Sequence, residues 1–143
     1  MMTLKEYEDK LDRITELMRM RAKSNEGYDD LRDKYVELQY SYMEEVLNEY
    51  KKTIGDNPAK LICYELLDYA VHWSQSGNAI VYEENEEIAN QVDDIIYYEL
   101  GEYLLDVEVY FDKYTQSWAI DCMFGGYFVP DWDGIEGDIW RDL

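Results

Sequence analysis

The chain has 143 residues, of which 47% are hydrophobic and 15% aromatic, and it carries a formal net charge of −20. That length suits one domain with a sizeable core, and that much apolar material excludes wholesale disorder despite the charge. Eleven of the thirteen basic residues precede Leu61, and from Leu61 to Asp112 there is no lysine or arginine; such a field repels nucleic acid and anionic membrane and attracts basic proteins or cations.

Thr3 and Glu6 form a capping box, and Leu4, Tyr7, Leu11, Ile14 and Met18 recur at spacings of three and four. This predicts an amphipathic helix over about residues 4–23. Its stripe covers about two heptads, short of a coiled coil, so packing within the chain is expected ahead of a homodimer through this helix. Ser24-Asn25-Glu26-Gly27 breaks the pattern. A second helix, over about residues 29–54, opens on Asp29 and Asp30, which suit the positive end of a helix dipole. Leu31, Tyr35, Leu38 and Tyr42 form one stripe on it, and Val36, Met43, Leu47, Tyr50 and Ile54 an adjoining one. Gly55 closes this helix and Asp56-Asn57-Pro58 opens a third, over about residues 58–74. Being apolar on most sides, it is expected to run through the middle of the fold, with one narrow polar stripe of Glu65, Asp68 and His72.

Gln75-Ser76-Gly77-Asn78 is a break, and Ala79 to Tyr82 reads as a short strand or a lead-in. A fourth helix, over about residues 85–100, projects Glu83, Glu84, Glu86, Glu87, Asp93 and Asp94 on one side and Ile88, Ala89, Val92, Ile95, Ile96 and Leu100 on the other. After Gly101 the period switches to two. Leu105, Val107, Val109 and Phe111 are expected to point one way, and Leu104, Asp106, Glu108 and Tyr110 the other. Trp118, Ile120, Cys122 and Phe124 alternate in a return strand, making a hairpin, and Tyr127-Phe128-Val129 suggests a short third strand stopped by Pro130. The tail is acidic but retains Trp132, Ile135, Ile139 and Trp140, so it is expected to dock on the sheet. The whole reads as a single α+β domain: a helical hairpin over 1–57, a core helix and an acidic helix over 58–101, and a β-hairpin with acidic tail over 102–143. The three N-terminal helices and the acidic fourth would pack on a small C-terminal antiparallel sheet.

No run reaches the roughly eighteen apolar residues of a membrane span, and the N-terminus lacks a basic region followed by an apolar core, so a cytoplasmic location is expected. Cys63 and Cys122, far apart and in apolar contexts, read as two free buried thiols. Asp131 to Asp138 begins like a calcium loop, but Ile135 and Glu136 stand where a ligand and a glycine are needed. An acidic, glycine-rich tight turn is expected instead. His72 is the one histidine, so sites built from several are excluded, and it reads as neutral and hydrogen-bonded. No phosphate loop, zinc spacing or dinucleotide fingerprint appears, so no metal or cofactor is expected.

Glu65-Leu66-Leu67-Asp68 resembles the ExxD half of the all-helical nucleoside triphosphate pyrophosphohydrolases of the MazG type. The resemblance implies magnesium held by these carboxylates together with an ExxE on the preceding helix. Glu45 and Glu49, four apart, depart from that pattern, and the C-terminal hairpin is foreign to that fold.

The reading with most support treats the acids as a surface. A rigid ridge of carboxylates can engage the lysine and arginine arrays with which proteins grip nucleic acid. Tyrosines interspersed with the acids, Tyr82, Tyr97, Tyr98, Tyr103 and Tyr110, add contact area at low entropic cost. The expected function is therefore a non-enzymatic inhibitor that mimics nucleic acid and blocks the basic face of a nuclease, as anti-CRISPR and antirestriction proteins of phages do. Glu83, Glu84, Glu86, Glu87, Asp93, Asp94 and Tyr97 would make the contact, extended by Asp106 and Glu108. An immunity protein against a basic nuclease toxin would need the same surface.

Overall fold

The computed structural model describes residues 1–73, 77–125 and 131–141. Five helices and one sheet follow in the order α1 (Leu4–Lys23), α2 (Asp29–Lys51), α3 (Pro58–Trp73), β1 (Asn78–Glu83), α4 (Glu86–Glu99), β2 (Leu104–Asp112), β3 (Ser117–Phe124) and α5 (Trp132–Trp140). The fold is α+β. Its contacts gather into two compact units, Met1–Glu45 with Pro130–Leu143, and Val46–Val129. The division falls inside α2, whose last turns belong to the second unit.

In the first unit Thr3 accepts the amide of Glu6 at 3.1 Å, the local bond that starts α1 where the capping box placed it. Tyr7, Leu11, Met18 and Ala22 are buried, so the stripe is used within the chain. Tyr7 and Tyr42 stack with ring centroids 4.0 Å apart. The tail departs from expectation. Residues 132–140 form a helix packed on α1, where an acidic tight turn docked on the sheet was expected. Asp131 caps it, accepting the Gly134 amide at 3.1 Å, and Ile139 enters a core of Met18, Ala22 and Leu31. Arg32 pairs with Glu136 at 2.8 Å and lies 4.5 Å above the Trp132 ring, while the Trp140 indole donates to the Tyr28 hydroxyl at 3.1 Å. The signal was in the sequence: Asp131 is an N-cap residue, and Trp132, Ile135 and Ile139 follow at spacings of three and four.

In the second unit the Asn57 side chain caps α3 by accepting the amides of Ala59 and Lys60 at 3.0 and 3.3 Å. Ile62, Cys63, Leu66, Leu67, Ala70 and Val71 are buried, but Leu61, Tyr69 and Trp73 are exposed, so α3 lies at the edge of the core with one face open. Both cysteines are buried and free, and burial pushes each thiol up to about 12. The sheet has the order β1-β3-β2, antiparallel throughout, and α4 packs against it and α3. Its third strand among the described residues is Asn78–Glu83, the segment read as strand or lead-in. The run Tyr127-Phe128-Val129 lies outside the described residues, as do most of the break before Gly77 and the last tail residues.

A β-bulge separates the pairs Leu105↔Met123 and Glu108↔Asp121, with Asp106 at a left-handed φ of 50°. An extra residue in one strand inverts the alternation beyond it. Leu104 is therefore buried on the core side, and Leu105 stands outside with Glu108 and Tyr110. The uninterrupted alternation expected for this strand is corrected by that one residue.

Candidate protein-interaction surface

The acids of α4 are displayed by local forces. Asn85 accepts the Ile88 amide at 3.1 Å and starts the helix, leaving Glu86 and Glu87 in its first turn, where the helix dipole favours negative charge. Ala89, Val92 and Ile96 are buried against the sheet and α3, which turns the opposite side outward. Glu84, Glu86, Glu87, Asp93, Asp94 and Tyr97 are all exposed. Glu83, at the end of β1, is half-buried and accepts the Asn85 amide at 3.2 Å, so it supports the helix start more than it faces a partner.

None of these carboxylates meets a lysine or arginine among the described residues. The ion pair on α4 is at its far end, Lys60 to Glu99 at 3.7 Å. The other lysine and arginine pairs, such as Lys5–Asp9, Arg32–Glu136 and Lys52–Glu49, lie elsewhere. The ridge is thus negative without internal neutralisation.

The predicted residues fall into three places. Glu86, Glu87 and Asp94 line a shallow depression on α4 together with Asn90 and Gln91. Asp93, Tyr97 and Asp106 meet in a cleft of about 340 Å³ between α4 and the bulged end of β2, lined also by Ile96 and Leu104. The bulge brings Asp106 there. Glu108 is not part of this group: it stands on the sheet face that α4 does not cover, beside Asp121. Tyr98, expected beside Tyr97, is 81% exposed and edge-to-face with it at 5.0 Å, whereas the placing of Tyr82 and Tyr110 on either side of Ala119 was not foreseen. That placing needs the sheet order.

The carboxylates of the ExxD resemblance are arranged differently. Glu65 is exposed on α3, while Asp68 accepts a hydrogen bond from His72 Nδ1 at 2.8 Å when that nitrogen is protonated. His72 is itself exposed. Glu49 is held by Lys52 at 2.8 Å, and that ammonium keeps its carboxyl below the usual range. Among the described residues no three histidine, cysteine, aspartate or glutamate side chains gather as a metal site would require, and no helix is long and apolar enough to cross a membrane.

No family model, curated protein or solved structure matches this chain.

Proposed function

We propose that this protein is a non-enzymatic inhibitor that binds the basic nucleic-acid-binding face of another protein, a nuclease of a defence system being the favoured class. The observation that carries this reading is the outward side of α4: exposed carboxylates with no lysine or arginine among the described residues to neutralise them. Lysine and arginine side chains that contact phosphates form the same charge-assisted hydrogen bonds with carboxylates held in a rigid row. Tyr97 and Tyr98 add aromatic area at the end of the row, and the cleft of Asp93, Tyr97 and Asp106 offers a concave seat for one long cationic side chain.

The test is capture of partners from a bacterial lysate containing nucleases, with and without competing DNA or guide RNA. A basic nucleic-acid-binding protein, displaced by nucleic acid and lost with Asp93→Lys/Asp94→Lys, is the expected result. These two residues lie beyond the first turn of α4, so their reversal leaves the helix N-terminus intact. Retention of the partner by that variant would remove α4 from the interface. Whether the captured nuclease belongs to a defence system or is a toxin separates an anti-defence inhibitor from an immunity protein.

A further inference from the structure

β2 lies at an edge of the sheet. β3 pairs with one side of it, and among the described residues no backbone hydrogen bond reaches the other side over residues 105–111. Every residue of that stretch is exposed or half-buried, whereas β3 in the middle is mostly buried. Alternate residues of an edge strand aim their N–H and C=O groups away from the sheet, and such a row is a template for another strand. The bulge ends at Glu108, so residues 108–112 run in regular register with residues 117–121. The two faces of this stretch differ. Val109 and Phe111 stand on the side of Ile120 and Trp118, and Phe111, edge-to-face with Trp118 at 5.3 Å, is still 45% exposed. Glu108 and Tyr110 stand on the other. Glu108 is directly opposite Asp121, a like-charge pair that costs stability, and β2 and β3 hold no lysine or arginine to relieve it. Partial desolvation raises the Tyr110 phenol, and Asp121, Tyr82, Asp112 and Glu108 push it the same way, so the edge carries a negative field.

We propose that the free edge of β2 takes an added strand from a partner protein, an extended segment in which basic residues alternate with apolar ones. The unpaired backbone of β2 supplies the attachment, and the alternation of its side chains supplies the choice. Side chains directly opposite on neighbouring strands lie about 5 Å apart. Basic residues on one side of the added strand therefore meet Glu108 and relieve its pairing with Asp121, while apolar residues on the other side cover Val109 and the open ring of Phe111. Charge complementarity selects this occupant. β2 of a second copy would bring Glu108 and Asp112 against acids of the same kind, so the residues that admit a basic strand also reject self-pairing. Nucleic acid would be repelled. The edge goes beyond the α4 reading, because it binds through the backbone of another element and uses none of the α4 carboxylates.

The experiment is amide hydrogen exchange by nuclear magnetic resonance on the full chain, with capped pentapeptides as probes. Of the amides of Glu108, Val109, Tyr110 and Phe111, the alternate pair that faces β3 exchanges slowly and the pair that faces outward exchanges fast. Acetyl-Arg-Val-Arg-Val-Arg-amide is expected to slow the fast pair, and acetyl-Glu-Val-Glu-Val-Glu-amide to leave it fast. The arginine peptide methylated on every backbone nitrogen keeps the charge but cannot donate. It should bind at least about 5-fold more weakly, the loss of two backbone hydrogen bonds, and protect nothing. Glu108→Gln, at an exposed position, should weaken the arginine peptide by up to about 5-fold, the loss of one exposed ion pair. Asp93→Lys/Asp94→Lys should leave the protection in place. The proposal is overturned if the fast pair stays fast with the arginine peptide, if the acidic or methylated peptide protects it equally, or if reversal of the α4 charges abolishes the protection. Protection that appears without peptide as protein concentration rises would make the edge an interface between copies and overturn it too. Failure here leaves the lysate capture unaffected, and loss of capture leaves this exchange experiment unaffected.

Discussion

Asp106 is the residue on which the faces of β2 turn, and its backbone offers a graded test. At φ 50° it occupies the left-handed region, which costs an ordinary L-residue about 1–2 kcal/mol and which aspartate and asparagine tolerate better. Asp106→Asn should therefore hold stability to within about 0.5 kcal/mol. Asp106→Gly should match or slightly exceed the wild type, because glycine enters this region without steric penalty. Asp106→Val, β-branched at a positive φ, should lose about 2 kcal/mol, roughly a 30-fold rise in the open population. The assay is amide hydrogen exchange of Ile120 and Cys122, which lie on the middle strand on either side of Asp121. Urea unfolding followed at the same amides gives an independent value. If valine exchanges like asparagine, the bulge is not held by Asp106 and the assignment of Glu108 and Tyr110 to the outer face fails with it.

Four further outcomes follow from single sites. A Cβ at Gly125 would lie 2.8 Å from the Glu102 carbonyl oxygen and 3.1 Å from that of Tyr103, both backbone, so Gly125→Ala should cost about 1–3 kcal/mol by overpacking, read as a lower urea midpoint. A Cβ at Gly134 would lie 2.5 Å from the Asp131 carboxylate that caps α5, so Gly134→Ala should displace the cap and cost about 1 kcal/mol, seen as faster exchange in the first turn of α5. Ile139 is fully buried among Met18, Ala22 and Leu31, and Ile139→Ala should destabilise the first unit by about 2–5 kcal/mol, with the Trp140 and Trp132 ring resonances reporting the loss. Burial raises Cys63 and Cys122 from 9.0 to about 12, so the folded state holds their protons more tightly than the unfolded chain does. Their contribution is complete below pH 9 and declines as pH rises toward 12. Urea midpoints should fall across that window, and thiol labelling at pH 8 should be slow until the protein unfolds.

Helices were the most legible part of this chain. The starts of α1, α3 and α4 follow from Thr3, Asn57 and Asn85, whose side chains reach amides two or three residues on, and nothing distant is needed to make those bonds. The exposed acids of α4 were equally readable, since their outward direction is set by the apolar residues on the same helix. The tail was misread because glycines at 134 and 137 suggested a turn, whereas burial of Ile139 against α1 and α2 makes a helix of them. The hairpin was read with the right strands and, up to the bulge, the wrong faces. Alternation carries no mark where a residue is inserted, and the bulge shows only once β2 is laid against β3.

The net charge, the starts of α1, α3 and α4 and the carboxylates of α4 belong to the sequence alone, the last two because each depends on neighbours within a turn or two. The order β1-β3-β2 belongs to the tertiary structure. It sets Tyr82 and Tyr110, 28 positions apart, on either side of Ala119, moves Asp106 into a cleft with Asp93, and leaves Glu108 on the other side of the sheet. Pairing between distant strands depends on which register buries the most apolar surface, and that is a property of the folded chain as a whole.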